Sequence, residues 1–251
     1  DTVILQVDVH DGPYLAAWDL ETGEERWRTP RDGVAPSWAT PALWPTPGGV
    51  EVVANASIIR GDDARDGREL WSLSPNSEQV VATPVVDGGI LYVSSGYPPA
   101  KPIYAVKPGL RGRVEVTPGE PDDRLVWSDP RGGAYMPTPL VYRGLLYIVH
   151  HNGRLVAYDA ATGEAIYKAR FSKSGTFTSS PIAANGKIYT GTEEGLLYVF
   201  AAGPEYRELV VNDMGEPVMA TPAIANGVLY VRTPSRLVAL AATATAPAPA
   251  R

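Results

Sequence analysis

Residues 138–170 read TPLVYRGLLYIVHHNGRLVAYDAATGEAIYKAR, and this stretch decides the fold. It contains four short runs rich in β-branched, aromatic and aliphatic residues: Leu140 to Tyr142, Leu145 to Val149, Leu155 to Tyr158, and Glu164 to Ala169. The turns between the runs contain Gly, Asn and Asp, which is typical of antiparallel hairpins. The stretch therefore predicts one unit of four antiparallel strands.

The rest of the chain repeats this unit. Five units open with a proline after Thr or Ser, at intervals of 41 to 55 residues: Pro41, Pro84, Pro139, Pro181 and Pro222. Proline lacks an N–H group, so it suits the first position of a strand. A repeat of this length with four strands is typical of β-propeller blades. The sequence predicts an all-β chain with propeller units at residues 1–33, 34–79, 80–133, 134–177, 178–217 and 218–240.

The two ends of the repeat array are incomplete. The first unit contains only its second to fourth strands, and the last contains only its first to third. We therefore expect an open arc of six units with two exposed edges, forming part of a longer ring. Residues 107–124 form a polar insertion in the third unit, and residues 241–251 are expected to be a disordered Ala/Thr/Pro tail.

Large aromatic residues occupy the fourth strand of four units. They are Trp27, Trp71, Trp127 and Tyr167. Rings of this size bury about 150–250 Å² each, and we expect them to wedge against the neighbouring blade. These four residues are therefore interpreted as structural blade-docking residues.

Composition excludes several classes of protein. A net charge of −6 and a pI near 5.1 argue against a nucleic-acid partner, which usually requires a basic surface. The absence of cysteine excludes disulfides, Cys-based zinc sites and Cys nucleophiles. Apolar runs have only strand length, so no membrane-spanning helix is expected. The chain begins at Asp1 without an initiating Met or a signal segment, which suggests a mature form or a fragment.

The repeat [T/S]-P…G-x-[L/I]-Y-[V/T]…L-x-A-x-D-x-x-T-G-E-x-x-W resembles the pyrroloquinoline quinone-like (PQQ-like) propeller repeats. Residues 138–167 match it almost position by position, and residues 14–27, 180–200 and 221–240 match it in part. Within that superfamily the chain is similar to the bacterial BamB-like repeat proteins. This resemblance implies a quinoprotein alcohol dehydrogenase-like propeller with a ring of eight blades. It also implies a periplasmic or otherwise exported bacterial protein.

Candidate binding residues lie in or beside the loops of one face of the propeller. In a propeller, the loops after each fourth strand and between the second and third strands emerge on this side, which we call the loop face. Aromatic, Arg and Met side chains suit a contact surface. The candidates are Trp38, Arg60, Tyr97, Arg131, Tyr135, Met136, His150, Phe177, Met219 and Arg232, with Lys101 and His151 beside them.

No metal site or catalytic group is predicted. His150 and His151 are adjacent, so their side chains should point to opposite faces of a strand and not ligate one ion. Asp62-Asp63 and Glu193-Glu194 are interpreted as solvated turn residues rather than as calcium ligands.

Three functions are compatible with the sequence. The first is a non-catalytic exported module, acting as a monomer without cofactor, which binds a protein or a small ligand through the loop face. The second is a quinoprotein dehydrogenase. For that function the resemblance implies PQQ with calcium stacked on a Trp, a catalytic Asp and often a vicinal disulfide, and the disulfide is impossible without cysteine. The third is a sensor propeller of a larger multidomain protein.

Overall fold

A computed structural model describes residues 1–241, which form 23 strands and no helix. The strands are β1 (Thr2–Val7), β2 (Tyr14–Asp19), β3 (Glu25–Pro30), β4 (Ala42–Thr46), β5 (Gly49–Ala54), β6 (Ile59–Asp63), β7 (Glu69–Ser74), β8 (Val85–Asp87), β9 (Ile90–Ser94), β10 (Ile103–Val106), β11 (Gly112–Glu115), β12 (Leu125–Asp129), β13 (Leu140–Tyr142), β14 (Leu145–Val149), β15 (Arg154–Asp159), β16 (Ala165–Arg170), β17 (Ile182–Ala184), β18 (Lys187–Gly191), β19 (Leu196–Ala201), β20 (Glu208–Asp213), β21 (Ala223–Ala225), β22 (Val228–Arg232) and β23 (Leu237–Ala241). Over this span, no helix is present that could cross a membrane.

The strands form six sheets, one for each predicted unit, which we number 1 to 6. Within each sheet, consecutive strands of a unit pair antiparallel. The short first strands β4, β8, β13 and β17 contact one another in sequence, so neighbouring sheets share a common inner edge. This radial arrangement is a β-propeller. The predicted fold class, an all-β propeller of antiparallel blades, is confirmed.

The first and last sheets contain three strands each, β1-β2-β3 and β21-β22-β23, as predicted. Apolar side chains on these two sheets are accessible: Val3 is 48% exposed, Leu5 49% and Leu237 68%. These exposed strands match the expected free edges. The total number of blades in the ring stays a prediction. The predicted tail lies outside the described residues, except for Ala241, the last residue of β23.

A bulge follows the same position of the third strand in five units, for example between Ala157 and Tyr158. The turn after this bulge is closed by Asp159, whose Oδ1 accepts hydrogen bonds from the backbone N–H groups of Ala161 (3.0 Å) and Thr162 (2.8 Å). Gly163 then adopts a φ of 76°, which glycine tolerates without strain. The bulged Asp-x-x-Thr-Gly turn predicted from the sequence is therefore present.

Trp27 and Trp127 dock on the next unit through this turn. Trp127 donates its indole N–H to the Ala160 carbonyl at 2.9 Å, and Trp27 donates to Ala64 at 3.2 Å. A Cβ added at Gly163 would lie 2.5 Å from the Trp127 ring, so the glycine makes room for it. Tyr167 packs toward unit 5, with its ring centroid 6.3 Å from that of Tyr206. These three rings join neighbouring blades, as predicted.

Trp71 differs from the other three rings. It lies over Gly61 of its own sheet, where an added Cβ would be 2.1 Å from the ring. Its indole N–H donates to Glu51 of the same sheet at 2.6 Å. Unit 3 has no Asp-x-x-Thr-Gly turn for Trp71, because residues 107–124 stand at that position. Trp71 is buried and structural, but its hydrogen bond and its closest glycine lie within its own blade.

The insertion at residues 107–124 contains a strand that the sequence did not predict. β11 pairs parallel with β7 and makes unit 2 a five-stranded sheet. The strand reads GRVE, and only Val114 is buried, so it carries no apolar pattern of its own. Its position covers the outer edge of β7, which would otherwise present unpaired backbone groups.

An aromatic cluster joins units 4 and 5. Phe171 stacks on Phe177 with ring centroids 4.5 Å apart and lies 4.7 Å from Tyr198 and 5.7 Å from Phe200. Phe177 is completely buried in this cluster. The prediction that Phe177 belongs to the binding surface is therefore wrong, because the loop turns its side chain inward between two blades.

The corresponding positions between units 1 and 2 are polar. The loops after β3 and β16 have the same length, so Arg31 stands where unit 4 has Phe171, and Asp62 stands in β6 where β19 has Phe200. Arg31 donates to Asp8 at 2.8 Å and is only 1% exposed, but both of its terminal nitrogens lack a hydrogen-bond partner. Asp62 and Asp63 are buried strand residues, so their interpretation as solvated turn residues is wrong.

Trp127→Ala should lower the free energy of unfolding by about 3 kcal/mol, because it removes a ring that fills the contact between two blades. Trp38, which is 61% exposed, provides the matched control. Trp38→Ala should change stability by less than about 0.5 kcal/mol. Urea unfolding followed by tryptophan fluorescence measures both. Equal losses in the two variants would contradict the docking role of Trp127.

Asp62→Asn should stabilise the protein at pH 8 but not at pH 4. Burial raises the pKa of Asp62 to about 7, so the folded state keeps a proton that the unfolded state loses near pH 4. Stability is therefore lost as pH rises through this window, on the order of 4 kcal/mol, and the amide removes that loss.

Asp63→Asn is the control, because the pKa of Asp63 is shifted in the opposite direction and its substitution should destabilise the protein. Hydrogen bonds from Arg65 lower the pKa of Asp63 to about 2, so its ionised form stabilises the fold above pH 4. Asp63→Asn should therefore lose a similar amount of stability at pH 4 and at pH 8, because that contribution is lost only as the pH falls from about 4 to about 2. Urea unfolding at pH 4 and pH 8 compares the two variants, and the same pH dependence in both would contradict this assignment.

Candidate functional site

A groove of about 590 Å³ lies on the loop face between units 3 and 4. The loops β9–β10, β12–β13 and β14–β15 form it together with the end of β16. We call it the basic groove, and its lining residues are Gly96, Pro98, Pro99, Lys101, Arg131, Gly133, Tyr135, His150, His151, Asn152, Arg154 and Arg170.

Two glycines fix the loops that carry Lys101 and Arg131. A Cβ added at Gly133 would lie 2.0 Å from the Ser95 carbonyl oxygen, and one at Gly96 would lie 2.3 Å from the Ala134 backbone. The Gly133 N–H also donates to the Lys101 carbonyl at 2.9 Å. Only glycine permits this backbone contact, so the two loops form one rigid wall of the groove.

Four cationic side chains line the groove: Lys101, Arg131, Arg154 and Arg170. Arg154 Nη2 lies 2.9 Å from the ring Nε2 of His150, and Arg170 donates to the Asn152 carbonyl at 3.3 Å. Within residues 1–241, none of these four cations forms an ion pair with a carboxylate. Neutral groups therefore position the guanidinium groups without cancelling their charge.

Asp129 is the carboxylate beside this wall. Its Oδ1 accepts the Arg131 backbone N–H at 2.8 Å, and its Oδ2 accepts the Tyr158 hydroxyl at 3.0 Å. Both oxygens are thus used by neutral donors of the surrounding structure. Asp129 offsets part of the positive charge but does not line the groove.

His150 is a buried histidine beside the cations of the groove. It is 8% exposed, whereas His151 is exposed, although both residues line the groove. Burial lowers the pKa of His150 to about 4, and the positive charges of Arg154, His151 and Lys101 act in the same direction. His150 is therefore neutral at pH 7, and its ring can accept the hydrogen bond from Arg154.

An aromatic row forms one edge of the groove. The Tyr97 and Tyr135 ring centroids are 5.4 Å apart, and Tyr135 contacts the His151 ring edge-on at 6.4 Å. Tyr135 and His151 line the groove together with the four cations, and Tyr97, between the lining residues Gly96 and Pro98, packs against Tyr135. A ligand in the groove therefore meets both positive charge and aromatic surface.

The structure brings together four of the ten predicted binding residues, namely Tyr97, Arg131, Tyr135 and His150, and places half-buried Met136 next to Tyr135. Trp38 lines a separate depression of about 500 Å³ beside Asp8. Met219 and Arg232 line another, of about 170 Å³, in unit 6. These residues occupy different parts of the loop face.

Arg60 is not part of the accessible loop face. It lies within β6, and its side chain is only 13% exposed. Its guanidinium group lies 3.4 Å from Glu69 and donates to the Asp32 carbonyl at 2.9 Å. The prediction for Arg60 is wrong, because the side chain is held against its own strand neighbour and the preceding loop.

Sequence reasoning missed Arg154 and Arg170. They are the first residue of β15 and the last residue of β16, and the loop criterion does not select strand ends. The antiparallel register of the β15–β16 hairpin would have indicated that they are cross-strand partners. Their convergence with Lys101 and Arg131 requires the packing of unit 3 on unit 4.

Residues 1–241 do not fit the calcium site that a bound PQQ would require. Over this span, no three His, Asp or Glu side chains come together as possible metal ligands. Five of the six Trp residues are at least partly buried, and the sixth, Trp38, is exposed beside Asp8. We therefore derive no chemical step through a quinone.

Arg154→Gln should raise the pKa of His150, because it removes the nearest positive charge. In the unmodified protein, NMR titration of the His150 ring should give a midpoint near pH 4. Arg207→Gln removes the same charge from an exposed position between β19 and β20 and should leave the midpoint unchanged. A midpoint near the ordinary value of about 6.5 in the unmodified protein would contradict the burial of His150.

Comparison with known proteins was made at the level of sequence and of fold. BamB of Marinobacter adhaerens is 25% identical over 185 residues, which cover 74% of this chain and 43% of that protein. The quinohemoprotein alcohol dehydrogenase of Comamonas testosteroni is 28% identical over 161 residues, covering 59% of this chain and 22% of that enzyme. The chain spans less than half the length of these curated relatives.

Among solved structures, the computationally designed Ika8 protein superposes with a TM-score of 0.65 at 14% identity. The superposition covers 95% of this chain and 67% of that one, and it shows likeness of fold alone. The family model described as "Outer membrane protein assembly factor BamB" matches residues 2–201. The chain therefore belongs to the BamB family of PQQ-like repeat propellers.

Proposed function

We propose that this chain is a non-catalytic, exported propeller that binds a protein partner through its loop face. The observation that carries the proposal is the basic groove, where an aromatic row and four cations that pair with no carboxylate of residues 1–241 converge from two neighbouring blades. Rigid blades hold these loops, so that binding loses little conformational entropy.

Membership of the BamB family supports the proposal, since the relative from Marinobacter adhaerens is described as an outer membrane protein assembly factor. Assembly factors act by contact with other proteins. By analogy, we propose a bacterial periplasmic location and a monomeric propeller without cofactor.

The make-up of the groove also favours binding over catalysis. Among the described residues that line it, the titratable side chains are four cations, Tyr135 and two histidines, of which buried His150 has a lowered pKa; none is a carboxylate. General acid–base catalysis near pH 7 needs groups with pKa values near that pH, and nucleophilic catalysis needs a nucleophile beside a base. Arg and aromatic side chains are instead the residues enriched at protein interfaces.

Site-specific photocrosslinking in the native host tests the partner. A benzophenone amino acid at Tyr97 or His151 should give a discrete protein adduct, because both residues stand at the groove edge. Ala161 lies in the turn between β15 and β16, at the opposite end of the strands, and should give none. Adducts of equal yield from all three positions, or none from the groove, would contradict the proposed loop-face contact.

A second experiment tests the absence of catalysis. The full-length protein, titrated with PQQ in the presence of Ca²⁺, should show no saturable change in quinone absorbance. It should also show no dye-linked oxidation of alcohols or sugars. Saturable binding with turnover would replace this proposal with a quinoprotein dehydrogenase, the activity of the relative from Comamonas testosteroni.

A further inference from the structure

We propose that the basic groove binds an acidic segment of a protein partner, whose carboxylates pair with Arg131, Arg154, Arg170 and Lys101. This inference rests on the proposed function and specifies the chemistry of the partner. Four independent observations support it: the register of two arginines, the charge balance of the chain, the aromatic edge and the size of the groove.

Arg154 and Arg170 are directly opposite each other on neighbouring strands. Like charges in this position destabilise a sheet, because directly opposed side chains have Cβ atoms only about 5 Å apart. No carboxylate within residues 1–241 forms an ion pair with either of them. A bound carboxylate between the two guanidinium groups would relieve this repulsion, and guanidinium binds carboxylate through paired hydrogen bonds.

The charge distribution of the chain is uneven. Asp and Glu outnumber Lys and Arg by 28 to 22 over the whole sequence, but the part of the groove lining that the structure describes contains four cations and no carboxylate. Asp129 stands behind the wall with both oxygens occupied by neutral donors. The groove is therefore a local positive site on an acidic protein, and it can attract a short anionic segment.

The acidic remainder of the surface argues against a large polyanion. A nucleic acid or an anionic membrane would extend beyond the groove and meet the net negative charge of −6. The volume of about 590 Å³ lies in the range of sites that accommodate compact ligands or short segments. A few residues of extended peptide fit this volume and do not reach the acidic surface around the groove.

The aromatic row favours a peptide over a free carboxylic acid. Tyr97 and Tyr135 pack side by side along the edge of the groove, next to the exposed ring of His151. A peptide offers apolar stems and flanking side chains to these rings as well as carboxylates to the cations. A small organic acid would use the cations alone.

Fluorescence anisotropy with labelled hexaglutamate tests the inference on the intact protein. We expect saturable binding in 50 mM NaCl, at least tenfold weaker binding of labelled hexaglutamine, and several-fold weakening of hexaglutamate binding at 300 mM NaCl. Citrate should compete only at concentrations at least tenfold higher than unlabelled hexaglutamate. Binding of hexaglutamine equal to that of hexaglutamate, or tighter binding of citrate, overturns the inference.

Variants locate the binding in the groove. Arg170→Gln should weaken hexaglutamate binding about tenfold, as expected for loss of one charge-assisted contact. It should not lower the urea midpoint of unfolding, because it also removes the cross-strand repulsion. Arg207→Gln removes one exposed Arg elsewhere and should change affinity less than twofold. Equal effects of the two substitutions on affinity, or a lowered urea midpoint for Arg170→Gln, overturn the assignment.

The crosslinking and peptide experiments separate the two proposals. If Tyr97 and His151 give a protein adduct but hexaglutamate does not bind, the loop face still binds a partner and the acidic-segment inference is wrong. If hexaglutamate binds and no adduct forms, the groove has the inferred chemistry but the proposed partner contact is wrong.

Discussion

The structure depends on one constraint, which is that each sheet must bury an apolar face against the next sheet around the propeller axis. The contact is made by a large ring of one fourth strand and the glycine turn of the following unit, as with Trp127 and Gly163. The ring occupies the space that a Cβ at the turn position would need. A large ring on one unit therefore requires glycine in the turn of the next unit. The same arrangement joins Trp27 of unit 1 to Gly67 of unit 2.

Where this arrangement is absent, the structure compensates locally. Unit 3 lacks the glycine turn, and Trp71 folds over Gly61 within its own sheet while β11 covers the outer edge of β7. Between units 1 and 2, buried Arg31 and Asp62 replace aromatic residues, so this contact depends on charge and on pH. The blades are therefore joined by contacts of different chemistry, although their strands are alike.

The basic groove is a product of this packing. Gly133 locks the two loops of unit 3 together, and the β15–β16 hairpin of unit 4 presents Arg154 and Arg170 to them. Each unit alone contributes only two of the four cations. Their charges add in one place because the blades are fixed side by side, and the same packing buries His150, which lowers its pKa. Binding chemistry thus follows from the same contacts that hold the fold together.

The sequence by itself determined the fold class, the six units, the glycine turns and most of the docking rings, because strand period and turn chemistry are local properties. It also indicated Tyr97, Arg131, Tyr135 and His150 as members of one face. Only the tertiary structure decided that Phe177 and Arg60 are held away from that face, and that Arg154 and Arg170 join Lys101 in one groove. The physical reason is that side-chain direction between blades, and the sum of charges across them, depend on contacts between residues far apart in the chain.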